Sequence, residues 1–247
     1  MKKLLLALTV LFGLNAQAQK DTTKLGSKLL KKATAVLPKS GSGTTGLSTE
    51  EIVSGLKEAL SVGAKNSATK LSSLDGFFAN AAIKVLMPPE AKKVESTLRA
   101  AGMGDLVDKA ILSMNRAAEE ASKSAAPIFV DAIKTMSIQD ALGILKGADT
   151  AATSYLKGKT TPALTAAFKP VIDAALQKTD ATKYWKTVFD TYNKLPTTFK
   201  KVNSDLSGYV TEKALYGMFF QVSEEEKKIR KDPAARVSDI LKKVFGS

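Results

Sequence analysis

Two residue types are missing altogether: the 247-residue chain has no cysteine and no histidine. Without cysteine there is no disulfide framework, no thiolate-ligated zinc and no cysteine nucleophile. Without histidine the usual general base is gone, together with the commonest metal ligand and every Ser-His-Asp arrangement. Carboxylate pairs, a Ser-Lys dyad, Tyr or an oxygen-only metal site remain as chemistries, and no cofactor is expected. Also missing are convincing two-residue alternation, which excludes a sheet-based fold, and any repeat of fixed period.

Charge is plentiful and unbalanced, with 37 Lys and Arg against 24 Asp and Glu, a net +13. Nucleic acid is the first partner a basic chain suggests. Here lysine outnumbers arginine, the charge is spread along the chain and no recognition motif occurs, so no nucleic-acid partner is expected.

The first residues read as an export signal. Lys2 and Lys3 precede the apolar run Leu4 to Leu14, and Ala16-Gln17-Ala18 supplies the small-x-small pattern for cleavage between Ala18 and Gln19. The run is shorter than the roughly 20 residues a bilayer span needs. No cysteine follows it to carry a lipid. The expectation is a cleaved leader over 1–18, a periplasmic or secreted product, and no transmembrane span after cleavage.

Residues 19–47 read as a basic tail and linker. If helical, Leu25, Leu29, Ala33 and Val36 share one side while Lys24, Lys28, Lys31 and Lys32 share the other. Such a segment can lie on anionic lipid or an envelope polymer; Gly26 and the lysine density suit a disordered tail equally. The stretch Gly41 to Gly46 has the spacing of a phosphate loop. Leu47 stands where that loop requires Lys, and no strand precedes it, so it reads as linker.

Ser48-Thr49-Glu50-Glu51 is a capping box that opens the folded domain, 48–247. From there the pattern is helical. Gly55, Ala59 and Gly63 form a small-residue stripe, and 77–87 is a short buried stretch stopped by Pro88-Pro89. A helix over about 89–100 ends at Gly102. Val107, Ile111, Met114, Ala118, Ala121 and Ala125 step by four and three in alternation, an apolar stripe for close helix packing. Pro127 should break that helix. Ser137-x-x-Asp140 starts another that stops at Gly147. Thr161-Pro162 has the form of a helix start, and Pro170 should bend the helix it begins. An aromatic stripe, Tyr184, Trp185, Val188, Phe189 and Tyr192, suits a core. Asp205 opens a helix through about Phe220, Ser223-x-x-Glu226 caps the next, and Asp232-Pro233 the last. The expectation is an all-α single domain of roughly nine to eleven mostly short helices, a bundle interrupted by Pro and Gly.

Three constellations could carry chemistry. Asp108, Asn115 and Glu119 share one helix face, suiting a hard cation, a polar ligand, or acid/base work by the Asp108–Glu119 pair. They would equally line a solvated shoulder or bond to a neighbouring helix. Around the Gly147 turn, Asp140, Asp149 and Tyr155 flank a helix N-terminus able to hold an anion, a place Asp149 can itself fill. Ser154 and Lys157 match S-x-x-K in letters, without the accompanying motifs on a mixed sheet. Finally, Arg230 and Arg236 flank Asp232-Pro233 and could grip a phosphate or carboxylate, or helix-end carbonyls and Asp232.

Taken together, LSTEEIVSGLKEAL (47–60), MNRAAEEA (114–121), DALGILKGADTAATSY (140–155), VTEKALYGMF (210–219) and EEKKIRKDPAARVSDILKKVFG (225–246) resemble the bacterial domain-of-unknown-function 4197 family. The resemblance spans roughly 47–246. It implies an exported, mostly helical envelope protein with no assigned activity, cofactor or catalytic residue. Many members resemble lipoproteins, a form this chain departs from by lacking the Cys.

Three functions stay open, in order: a non-enzymatic ligand- or partner-binding module, an Asp/Glu-dependent hydrolase or lyase, and a structural or assembly factor of the envelope. Burial separates them. Convergence of Asp108 and Glu119 in one cleft favours an enzyme, an enclosed pocket a binding module, and an exposed apolar patch an assembly partner.

Overall fold

The computed structural model describes residues 48–179, Thr182, Trp185, Asn193, 205–232 and Lys242. The proposed leader, the basic tail with Lys24, Lys28, Lys31 and Lys32, most of the aromatic stripe, and Arg236 lie outside the described residues.

Among the described residues there are seven α-helices and no strand. They are α1 (Thr49–Ser72), α2 (Lys92–Ala100), α3 (Gly104–Ser122), α4 (Ala125–Lys134), α5 (Ile138–Lys146), α6 (Ala151–Gln177) and α7 (Leu206–Lys231). A 3-10 turn, Pro89–Ala91, leads into α2. Against the expected nine to eleven mostly short helices, the described residues hold these seven, four of them long, and they pack as one domain.

Local signals account for most ends. α1 begins directly after Ser48, Ser137 and Asp140 form a reciprocal capping box at the start of α5, and Asp205 accepts the Gly208 N–H at 2.9 Å to open α7. Gly102, at φ 78°, ends α2 in the left-handed region that glycine enters without a steric penalty. The α3–α4 break falls at Lys123-Ser124, one turn before Pro127. That places the proline in the first turn of α4, where its missing N–H costs nothing.

The expected helix start at Thr161-Pro162 vanishes: Pro162 lies inside α6, a continuous helix of 27 residues, and Pro170 lies within the same helix, as the sequence placed it. Both prolines face solvent, as do Gly158 and Ala166, whose carbonyls lose their helical donors. Those carbonyls can be hydrated, so the helix tolerates each proline without ending. Ser223 likewise starts nothing: α7 runs through it to Lys231, held by successive pairs such as Gln221–Glu225 and Lys228–Glu225.

α6 is the central element, packing against α7, α3, α4 and α5. Apart from Thr153, its buried residues, Ala152, Leu156, Thr160, Leu164, Phe168, Ile172 and Leu176, fall every fourth position. At 3.6 residues per turn such a row drifts about 40° per step, so it winds around the helix and meets different neighbours along its length. On α3 the whole predicted stripe from Val107 to Ala121 is buried, with Ala125 continuing it into α4. Gly55, Ala59 and Gly63 are buried on α1, and Gly63 lies where an added Cβ would sit 3.6 Å from Glu225 and Ile229 of α7. Phe129 and Phe219 meet edge to face at 5.9 Å in the core.

Candidate functional site

The stretch 73–88 between α1 and the 3-10 turn is irregular, so its backbone groups need partners from elsewhere. Two α3 side chains provide them. Asn115, fully buried, accepts the Val85 N–H at 2.9 Å and donates to the Val85 carbonyl at 2.8 Å and the Ile111 carbonyl at 2.7 Å. Glu119, 4% exposed, accepts the Phe77 and Phe78 N–H groups at 3.1 and 3.2 Å through one oxygen. Its other oxygen takes a 2.6 Å bond from Arg116, which also reaches Asp75.

The three-residue constellation is thus corrected. Asp108, Asn115 and Glu119 do share a face, but the covering segment reaches only the second half of α3. Asp108 stays exposed and pairs with Arg99 of α2 at 2.7 Å, a bond that holds its carboxyl below the usual carboxylate range. It stands about 16 Å along the helix from Glu119. The two carboxylates do not converge, and Glu119 is fully engaged in holding backbone.

A second buried glutamate does the same work. Glu226 of α7 accepts the Ala152 N–H at 3.0 Å and the Thr153 N–H and hydroxyl at 2.8 Å each, closing the N-terminus of α6. Arg230 bonds Glu226 and donates to the Ile144 carbonyl near the C-terminus of α5 at 2.8 Å. One Glu-Arg pair therefore ties down both helix ends around the Gly147 turn. An anion does occupy this helix N-terminus, and it is Glu226; Asp149 points instead to Lys231 at 2.6 Å, which lowers its pKa. Arg230 is consequently committed to protein groups.

The remaining candidates are placed as follows. Asp140 carries the capping box, and its pKa is lowered by the Ser137 hydroxyl and amide. Tyr155 meets Asp140; burial first, and that carboxylate second, push its phenol up. Ser154 and Lys157 are both exposed on α6.

What sequence reasoning missed is a cavity. It measures about 660 Å³ and lies between α2 (Val94, Leu98), α3, the end of α6 (Ala175, Lys178, Thr179) and the start of α7 (Leu206). Met87 and the buried Trp185 close it, Trp185 stacking on Tyr209 at 6.3 Å. Tyr209 donates its hydroxyl to the Leu86 carbonyl at 2.8 Å. The α3 wall is a second stripe, Leu106, Ala110, Ser113 and Ala117, running beside the core stripe. That doubled apolar arc was the available signal, since one stripe suffices to seat a surface helix. Charged side chains at the cavity are Lys109, Arg116, Lys178 and Glu120. Among the described residues no group of three or more acidic side chains could hold a metal ion.

The fold and cavity define an all-helical protein whose buried charges brace its own backbone. Residues 46–246 match the family described as "Protein of unknown function (DUF4197)", and the chain belongs to that family. Neither the curated proteins nor the solved structures yield a match.

Proposed function

We propose that this protein is a non-enzymatic binding module that holds an apolar ligand in the cavity between α2, α3 and α6. The observation that carries this reading is the cavity itself. Its volume of about 660 Å³ lies within the roughly 300–1,000 Å³ of ligand pockets, and its walls are overwhelmingly aliphatic and aromatic. Apolar cavities favour apolar guests over water, because water inside finds no partners. The separation of Asp108 from Glu119 counts against the hydrolase or lyase reading.

The leader pattern over Met1–Ala18 supports a periplasmic or secreted setting, and among the described residues no helix is long and apolar enough to cross a membrane. There the module would bind a hydrophobic molecule on the outer side of the inner membrane. Mass measurement of the host-purified chain, beginning at Gln19 or at Met1, tests this setting.

Binding is tested by titrating the folded protein with the neutral fluorophore N-phenyl-1-naphthylamine. Saturable, one-to-one binding is expected, and Ala110→Trp, which fills the cavity from α3, should abolish it while circular dichroism stays helical. No fluorescence gain with folded wild-type protein overturns the proposal.

A further inference from the structure

The charges around the cavity are unequal, and two of them have no ion-pair partner among the described residues. Glu120 is the one acid among the described lining residues, and Lys123 pairs with it at 2.6 Å. Arg116 is committed to Glu119 and Asp75. Lys109 on α3 and Lys178 at the C-terminal end of α6 are exposed and make no ion pair with a described carboxylate. They line the cavity from separate walls, α3 and the end of α6, each with a flexible stem and a solvent-exposed ammonium group. Leu106 and Leu112, also in the lining, are 44% and 36% exposed and leave apolar surface uncovered there.

From this arrangement we infer that the ligand is a single-chain amphiphile with an anionic head, its chain in the apolar cavity and its head between Lys109 and Lys178. The inference rests on the cavity reading above and adds the head group. A purely apolar guest would gain nothing from the two lysines, and a cationic head would be repelled by both. An anionic head satisfies them while the first carbons of the chain cover Leu106 and Leu112. Because the lysines are solvent-exposed, each contributes modestly, so together they should favour an anion roughly tenfold over a neutral head. The preference should shrink as salt rises.

The test displaces N-phenyl-1-naphthylamine with decanoate, decanol and decyltrimethylammonium, each below its micellar concentration, with acetate as the head without a chain. Decanoate should compete at roughly tenfold lower concentration than decanol, decyltrimethylammonium more weakly than either, and acetate not at all. In the double variant Lys109→Gln/Lys178→Gln the fluorophore should still bind while the advantage of decanoate disappears. Equal competition by decanoate and decanol in the wild-type protein overturns the head-group inference and leaves the cavity reading standing. A double variant that keeps the full decanoate preference overturns the assignment to these lysines. Absence of fluorophore binding in the wild-type protein brings down both readings.

Discussion

The carboxylate of Glu226 receives both the backbone N–H and the hydroxyl of Thr153 at 2.8 Å, across 73 positions of chain. With Arg230 bonded to the Ile144 carbonyl, α7 reaches over to fasten the end of α5 and the start of α6 together. Glu119 repeats the device on the segment 77–78, with Arg116 as its counter-charge. Both buried acids therefore serve the fold, which is why the proposed ligand site is the cavity and not a carboxylate pair.

Glu226→Ala should destabilise the protein by about 3–5 kcal/mol, because it leaves Arg230 and the Ala152 and Thr153 N–H groups buried without their anion. Urea unfolding followed by circular dichroism measures it. A loss under about 1 kcal/mol would show that α6 is capped adequately without Glu226.

Asn115→Leu removes the partner of both Val85 backbone groups and should cost about 2–3 kcal/mol. Asp108→Asn, on the same helix face but exposed, should change stability by no more than about 0.5 kcal/mol. Equal effects from the two would contradict the division of that face into braced and solvated halves.

Gly217 of α7 lies against the fully buried Phe77 ring, where an added Cβ would come within 2.4 Å of Cε1. Gly217→Val should therefore lose roughly 1–3 kcal/mol by overpacking. Phe77→Leu in the same chain should recover part of that loss, which a double-mutant cycle reads directly.

Acid should weaken the start of α5. The folded pKa of Asp140 is lowered by the Ser137 hydroxyl and amide, so its contribution is present above the unfolded carboxylate value, ~3.9, and is lost as pH falls through the folded value. Asp140→Asn should flatten the decline in melting temperature below about pH 4. A variant with an unchanged acid limb would show that the box contributes no pH dependence.

Alkali acts on the opposite sign. Burial first, then the Glu212 and Glu90 carboxylates, push the Tyr209 phenol up to about 12. A raised folded pKa means its contribution is whole below the unfolded value, ~10, and lost as pH rises toward the folded one. Tyr209→Phe should remove a late phenolate step from the ultraviolet titration. Persistence of that step would place it on another tyrosine.

Helix type and many boundaries were legible because their causes are local. The capping box at Ser137, the cap at Asp205, Gly102 and the α3 stripe each act within one or two turns. The misread boundaries are also informative. Thr161-Pro162 and the Ser223-x-x-Glu226 motif carry start signals in letters, and each was overridden by surroundings that a window of sequence does not contain. Pro162 and Pro170 are tolerated because they face water. Ser223 stays helical because α7 continues through it, which lets Glu226 reach α6.

By itself, then, the sequence settled the all-helical class and the chemistries excluded by lacking cysteine and histidine, since short-range periodicity and composition carry them, while the family rested on the resemblance of its ordered motifs. Only the tertiary structure decided that Glu226 pairs with Thr153, that Asn115 braces Val85, and that α2, α3, α6 and α7 leave a cavity between them. A helix stripe states that a face is buried and is silent on what buries it. Partners distant in the chain are chosen by packing, where every helix must satisfy its neighbours at once.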